Sequence, residues 1–550
     1  VNEIYHQLQP QQGQYWQTTF DLAYYPQERG QYNYNPNLTN TGLLSGDPRS
    51  NWGGITTAIR TEVDFDKANI EYDEFWLMDP FIEGEGGKIL LNERNGVNNT
   101  TGGKVILQLG SISEDVARDS KHAFENGLPS DGILENGASR NEWGYVTTQQ
   151  FLTDAFNIEP TSRANQDVGL DGVPTRREAE VFSDFVDALN PGAREVVLKD
   201  PSADDYRHYF DPEFDRRNAQ ILERYKDYNG QDGNSPITTT SDAIARSATQ
   251  TPDNEDLNED NTLNELEEYY EYDIDLRPGQ LFVGAEYIVD RVQAKKSEGQ
   301  MHDNVYWYLF RIPVREFENK FGNISGFKSI RYMRMILTDF QQPVVLRMSN
   351  FRMIGSRWRR YQADRRGGGF QGDKEPEFND FRVSVVNLEE NGAWEPPTPG
   401  ETPTSPYRIP PGVVRDRDVT SAISRQLNEQ SVQLCVDDLE DGDARAIFKN
   451  VGIDLFNYGR IKMFLHADSR SQDDELHAFL RLGTDFDQNY YEIEIPLKIS
   501  DAFIQDPSAR DVWPEENEID LDLNELYALK ATRDRERFPI GESYPREGGK

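Results

Sequence analysis

Three stretches of this chain carry pairs of apolar runs of strand length, each bounded by turn residues. That recurrence narrows the fold more than any other feature. The first stretch holds "ANIEYDEFWLMDPF" (Ala68 to Phe81) and "GGKVILQLGSISED" (Gly102 to Asp115). The second holds "FKSIRYMRMILTDF" (Phe327 to Phe340) and "QPVVLRMSNFRMIG" (Gln342 to Gly355), with "YYEYDIDL" (Tyr269 to Leu276) as its first strand. The third holds "YGRIKMFLHADS" (Tyr458 to Ser469), "DELHAFLRLGTDF" (Asp474 to Phe486) and "NYYEIEIPLKI" (Asn489 to Ile499). Short apolar or alternating runs between Gly, Pro, Asn and Asp are strand signals. A series of them argues for antiparallel sandwiches.

Within the first stretch, Phe75, Trp76, Leu77 and Met78 are consecutive bulky apolar residues in a chain of net charge −39. A membrane helix needs about 18 apolar residues, so this run cannot be one. It could instead face a partner or form a sugar-binding platform. The reading adopted is a central strand covered on both faces, the ordinary use of buried aromatics.

The chain has 550 residues, which at about 100–200 per domain suggests three or four domains. Basic residues number 58 against 97 acidic ones, so nucleic acid and anionic lipid surfaces are excluded as partners. The same excess suits divalent cations. Cys435 is the one cysteine, so no internal disulfide and no cysteine-based metal site can form. The six histidines form no HExxH pair, and no phosphate loop or GxSxG elbow occurs. "RRGGGFQG" (Arg365 to Gly372) reads as a flexible turn. No pair of carboxylates can be singled out for glycoside hydrolysis. His466 and His477 read as structural strand-face or edge residues. The chain begins at Val1 without an initiator methionine or a signal peptide, as expected for a processed chain or a piece of a longer one. Only its ends could hide a membrane β-strand: "YWQTTFDLAYYP" (Tyr15 to Pro26) and the region of Leu526 to Ala531.

The expected fold is therefore mainly β: tandem antiparallel, jelly-roll-like β-sandwich domains with a helical insertion. Its boundaries are a connecting segment over 1–49, a first sandwich over 50–150, a mainly helical insertion over 151–240, a second sandwich over 241–395, a linker over 396–411, and a third sandwich with an exit segment over 412–550. Three segments predict helices: Ser113 to Pro129, with Ser113 as N-cap and Gly127 at the end, Thr175 to Pro191, and Glu213 to Gly230. Pro396 to Pro411 holds seven prolines and predicts a semi-rigid linker and the clearest domain boundary.

Two loops have calcium-type spacing. In "DLNEDNTLNELE", side-chain oxygens of Asp256, Asn258, Asp260, Asn264 and Glu267 fall at the ligating positions, and Thr262 would offer its carbonyl. Asn261 stands where the sharp turn usually needs glycine. "DVGLDGVPTRRE" supplies Asp167, Asp171 and Glu178 but has Gly169 where a ligand is needed, so its match is less complete. Calcium is thus the one cofactor the residues point to. Each loop can equally be a polar turn in an acidic chain. A basic island of Arg352, Arg357, Arg359, Arg360, Arg365 and Arg366 surrounds Trp358. Arg357, Trp358, Arg359 and Arg360 are candidate partner-binding residues for an anionic group, although such arginines more often pair with local carboxylates.

Taken together, "EFWLMDPF", "LGSISEDVARDS", "FENGLP", "NQDVGLDG", "DPSADDYRHYF", "ILERYKDYNG", "GNSP", "TPDNEDLNEDNTLN" and "IRYMRMILTDF" resemble one family, in order, over roughly Asn33 to Leu497. "YYPQERGQYNYNPNL" (Tyr24 to Leu38) looks like that family's chain emerging from a barrel strand. The family is SprA/Sov, the outer-membrane translocon of the type IX secretion system of Bacteroidota. The resemblance implies part of a giant single-chain β-barrel, a portion of its extracellular cap at the cell surface. It implies work with a PorV-type outer-membrane barrel, a periplasmic plug protein and secreted proteins bearing C-terminal sorting domains, including gliding adhesins. It implies no catalytic residues and so no enzyme. The rival expectation is a carbohydrate-binding cell-surface protein with tandem jelly-roll modules.

Overall fold

The computed structural model describes residues 3–5, 16–90, 96–150, 155–157, 159–206, 211–226, 230–234, 251–296, 301–361, 381–393, 404–415, 417–418, 425–437, 439, 444–468, 471–485, 489–539 and 541–544. The chain divides into two compact units, one of Thr18–Ala294 with Gln300–Ser356, the other mainly Arg357–Lys550.

The first unit is built on ten strands: β1 (Thr19–Tyr24), β2 (Trp52–Ala58), β3 (Ile70–Met78), β4 (Gly103–Ser111), β5 (Glu268–Leu276), β6 (Ile288–Lys295), β7 (Met301–Pro313), β8 (Asn319–Phe321), β9 (Tyr332–Thr338) and β10 (Val344–Gly355). They form two five-stranded sheets, ordered β1-β10-β3-β7-β6 and β8-β5-β4-β9-β2. The assigned pairings are antiparallel. One hydrophobic core takes side chains from both sheets: Phe75, Leu77, Phe310, Leu346 and Met348 from the first, Leu107, Leu109, Tyr272, Ile274 and Met335 from the second. The mainly β, antiparallel expectation holds.

Its partition into domains does not. Strands expected to form separate sandwiches over 50–150 and 241–395 interleave. β3 lies between β10 and β7, and β4 between β5 and β9. The reason lies in the connections: β3 and β4 sit in different sheets, as do β9 and β10, so each run-turn-run pair is a crossing between sheets and not a hairpin. Each run then finds its partners far along the chain. Gly103 shows how close the packing is, since a Cβ there would lie 2.3 Å from the Phe340 ring.

β3 is the middle strand of its sheet and is buried on both faces. Phe75 points into the core, its ring stacked at 5.3 Å on Phe310 and 5.1 Å on Phe351. On the opposite face Trp76 is 1% exposed, and Glu74 pairs with Arg311 and Arg352, each at 2.6 Å. Phe75 and Trp76 are therefore a covered strand, and a sugar platform or partner-facing reading of this run is overturned. β1, from the stretch that could have hidden a membrane strand, is the edge strand beside β10.

The insertion holds short helices: α1 (Thr175–Val181), α2 (Ser183–Ala188), α3 (Pro191–Val197) and α4 (Pro212–Arg217). The backbone at Phe182 leaves helical geometry (ψ 33°) and separates α1 from α2, while Asn190 caps α3 by accepting from Ala193 N–H. Phe185, Val186, Leu189, Ala193 and Val197 pack on Leu38 and Leu44, so part of the N-terminal segment belongs to this layer. The helix expected over Ser113 to Pro129 does not form. Arg118 and Ser120 adopt positive φ (53° and 56°), and the buried Glu255 carboxylate accepts the N–H groups of Val116, Ala117 and Ala123. The segment wraps around a carboxylate that supplies the bonds a helix would have made.

The second unit is made of two-stranded antiparallel ladders: β11 (Phe381–Asn387) with β12 (Gln430–Val436), β13 (Arg460–Phe464) with β16 (Glu518–Asp522), and the hairpin β14 (His477–Gly483) with β15 (Tyr490–Pro496). Its main buried cluster is small: Tyr407, Val512 and Trp513. The third-stretch strands form, but among the described residues they do not join one large sheet. Leu526 to Ala531 lies in α5 (Leu523–Glu536), a helix and not a strand, capped by Asp522. Tyr407 is 4% exposed and donates from its N–H to Asn391 O, so the second half of the proline-rich segment is packed inside this unit. It is not a boundary between units; residues 396–403 lie outside the described residues. Among the described residues, no helix is long and apolar enough to cross a membrane.

Candidate metal centre

The more complete calcium spacing turns out to be a self-satisfied loop. Asp256 accepts from the N–H groups of Asp260 and Asn261, Asn258 from Asp260 N–H, and Asp260 from Thr262 N–H. Such bonds are the ordinary local use of Asp and Asn side chains in turns. Asn264 donates to Glu114 and to the Tyr332 hydroxyl, while Glu267 pairs with Arg334 at 3.1 Å. The centre of the loop is held by Glu114, which accepts N–H bonds from Leu257, Asn258 and Asn264. Asn261 does take the positive φ (62°) that its position requires. The oxygens of Asp256, Asp260 and Glu267 are thus spent on amides and an arginine, and the structure does not bring them together.

The less complete loop leads to a different arrangement. Gly169 and Gly172 turn the chain through positive φ (72° and 64°), which carries Asp171 inward and starts α1 at Thr175. Glu178, on α1, is fully buried. The loop after α3 brings Asp200 and Asp204 to the same place. Carboxylate oxygens of Glu178, Asp200 and Asp204 all lie within 4.8 Å of one another. Ser202 holds the group together: its N–H donates to Glu178 at 2.8 Å and its hydroxyl to Asp171 at 2.6 Å. Asp232 joins from a further loop and accepts from Thr175 Oγ1 at 2.8 Å. Asp167 lies apart, near Glu125, whose other contacts are the N–H groups of Gly169 and Asp253.

Burial dominates the electrostatics. It pushes Asp204 up to about 10, with Asp171, Glu178 and Asp232 adding repulsion. Glu178 is pushed up to about 7 and Asp232 to about 6, burial again being the first cause in each. Asp171 is raised well above the carboxylate range. The Arg29 guanidinium is close enough to feel Asp200, Glu178 and Asp204, but it donates to the backbone carbonyls of Asn33, Asp200 and Pro201. Both oxygens of Asp204 and Oε1 of Glu178 are buried without a hydrogen-bond partner. Sequence reasoning found Asp171 and Glu178 but missed Asp200, Asp204 and Asp232. The one available signal was the "DPSADD" run downstream, which has no loop spacing to Glu178.

The basic island divides. Arg352 pairs with Glu74. Arg359 and Arg360 form a short ladder with Ile447 and Phe448, Arg360 donates to Phe381 O, and Lys449 lies 6.0 Å from the Trp358 ring. Arg357 and Arg359 are exposed, and Arg365 and Arg366 lie outside the described residues. His466 contacts Val512 O and His477 contacts Glu494, each at 2.7 Å.

Comparison with known families decides the larger question. The SprA_N family model, described as motility related/secretion protein, matches residues 182–550. The chain belongs to the SprA family. The match covers the Arg357–Lys550 part of the second unit, the second-stretch strands β5 to β10 of the first unit, and Asp200, Asp204 and Asp232. Asp171 and Glu178 stand just before it. No curated protein matches the chain. SprA membership makes this a motility- and secretion-related protein, which is consistent with a place in the cell envelope.

Proposed function

We propose that this chain is a cap portion of the type IX secretion translocon in the outer membrane of a Bacteroidota cell, lying on the extracellular side. In this reading it is a transport component and not an enzyme. It is the soluble part of a giant β-barrel protein, and its two sheets around one core are a β-sandwich within that cap. Folded proteins with C-terminal sorting domains, gliding adhesins among them, pass it with the help of a PorV-type barrel and a periplasmic plug protein. The observation that carries the reading is the SprA family match across residues 182–550. The fold is compatible with it: rigid antiparallel sheets with loop-rich insertions suit a structural cap, and the aromatic run that might have made a glycan platform is buried.

The test uses the exposed Thr404. A protease site placed there in the native gene should be cut in intact cells while secretion of sorting-domain proteins continues. Cleavage only after the outer membrane is opened would place the segment in the periplasm and end the cap reading.

A further inference from the structure

We infer that Glu178, Asp200 and Asp204 bind a calcium-class divalent cation that ties together the insertion of the first unit, with Asp171 supporting the ligand set. This inference stands independently of the secretion reading.

Two observations carry it. The first is spacing. Calcium sits about 2.3–2.6 Å from its oxygens, so ligands on opposite sides of one ion lie at most about 4.6–5.2 Å apart. Oxygens of Glu178, Asp200 and Asp204 that all fall within 4.8 Å of one another match a shared centre. Magnesium keeps several waters and takes only one or two carboxylates, whereas three converging protein carboxylates suit calcium, which draws most of its ligands from protein oxygens. The second is the state of the Asp204 and Glu178 side chains. Both residues are fully buried, and both Asp204 oxygens and Glu178 Oε1 have no hydrogen-bond partner. Buried polar atoms are nearly always partnered, and a buried unpaired carboxylate is among the costliest groups a fold can carry. Gly169 sharpens this. A Cβ at that position would lie 2.3 Å from Asp204 Oδ2, so glycine keeps open the space beside the carboxylate.

The neighbouring bonds have the character of a supporting layer. Ser202 orients both Glu178 and Asp171, and Thr175 holds Asp232. Ligands fixed in this way are oriented before an ion arrives. The stretches joined are α1, the loop after α3 and the turn at Gly169, in a layer with small apolar clusters. An ion there would hold loops that hydrophobic burial alone holds weakly.

The alternative is that Asp204 sits protonated in a dry site with no ion. Calorimetric titration of the full chain, stripped by chelator, separates the two. With calcium the parent should bind one ion, and its melting temperature should rise over the chelator value. Terbium should bind in calcium's place and luminesce on tyrosine excitation, because Tyr32 and Tyr34 lie beside the carboxylates. Asp204→Asn should lose at least about 10-fold in affinity, as even supporting partners of a metal site are worth that much. In chelator the same variant should melt no lower than the parent, since the amide is isosteric with the carboxyl and places no charge in the buried site. Glu178→Gln gives an independent second loss. Asp260→Ala, in the self-satisfied loop, should bind calcium like the parent. Identical melting in calcium and chelator, or undiminished binding by Asp204→Asn and Glu178→Gln, would overturn the site. Equal response to magnesium would overturn the calcium class.

Discussion

The two units use similar strands in opposite ways. In the first, β4 alternates its side chains into a core shared by two sheets, and Val105, Leu107 and Leu109 are at most 3% exposed. In the second, β12 carries an equally apolar run, yet Val432 and Leu434 are 39% and 45% exposed. β4 has strand neighbours on both sides and a sheet opposite. β12 is paired with β11 in a two-stranded ladder. Isolated two-stranded ladders are marginal in water and need further strands or a packed face. The lesson is that a strand's amino acids set its capacity to be buried, while the number of layers around it decides how much of that capacity is used.

The largest way to break this contrast is Trp76→Ala. Trp76 is 1% exposed on the outer face of the central strand, so its removal should cost about 3–5 kcal/mol in urea unfolding of the chain. A loss under about 1 kcal/mol would show that the outer face of β3 contributes little, and that the first unit is held from one side only.

That prediction was legible in the sequence because a bulky run without alternation needs cover on both faces. The partition into domains was not legible. β4 pairs with β5 across more than 150 residues, and nothing in either run names its partner. The same locality limits the site. Calcium-type spacing is a rule about one loop, and it pointed most clearly to Asp256 to Glu267, where backbone amides take the oxygens. The convergent set draws Glu178 from a helix and Asp200 and Asp204 from a loop brought there by the packing of α3 on Leu38 and Leu44. The helix expected from Ser113 failed for a related reason. Local propensity competed with the distant buried Glu255, and the carboxylate won.

A smaller effect sharpens the account of the first core. Asp73 points into it from β3, and burial, with Glu74 adjacent, pushes its carboxyl up to about 8 from 3.8. Tyr272 also feels its charge. Because the folded state holds the proton more tightly than the unfolded one, this contribution is fully present below about pH 3.8 and is lost as pH rises through about 8. Its slope approaches about 1.4 kcal/mol per pH unit within that window. Asp73→Asn should flatten the difference profile between pH 4 and 8 and stabilise the chain at pH 8 by about 1–2 kcal/mol, the amide still being a buried polar group. Profiles that stay parallel across the window would mean that Asp73 is solvated and that the core admits water.

The smallest effect belongs to the second unit. Leu434→Ser on β12 removes an apolar side chain that is 45% exposed and opposes Val383 across the ladder. Surface substitutions of this kind usually fall within about 0.5 kcal/mol. The expected change in unfolding free energy of the chain is therefore near zero, while Leu107→Ser on β4 should cost several times more. The pair matters more than either value. Val383 is 2% exposed, so β11 is covered where β12 is not, and the ladder has one packed strand and one open one. If Leu434→Ser is neutral alone but weakens secretion in cells, the open strand is a contact surface whose partner lies outside this chain. If it costs more than about 2 kcal/mol in the purified chain, β12 is already packed, and the contrast between the units is one of strand number and not of burial.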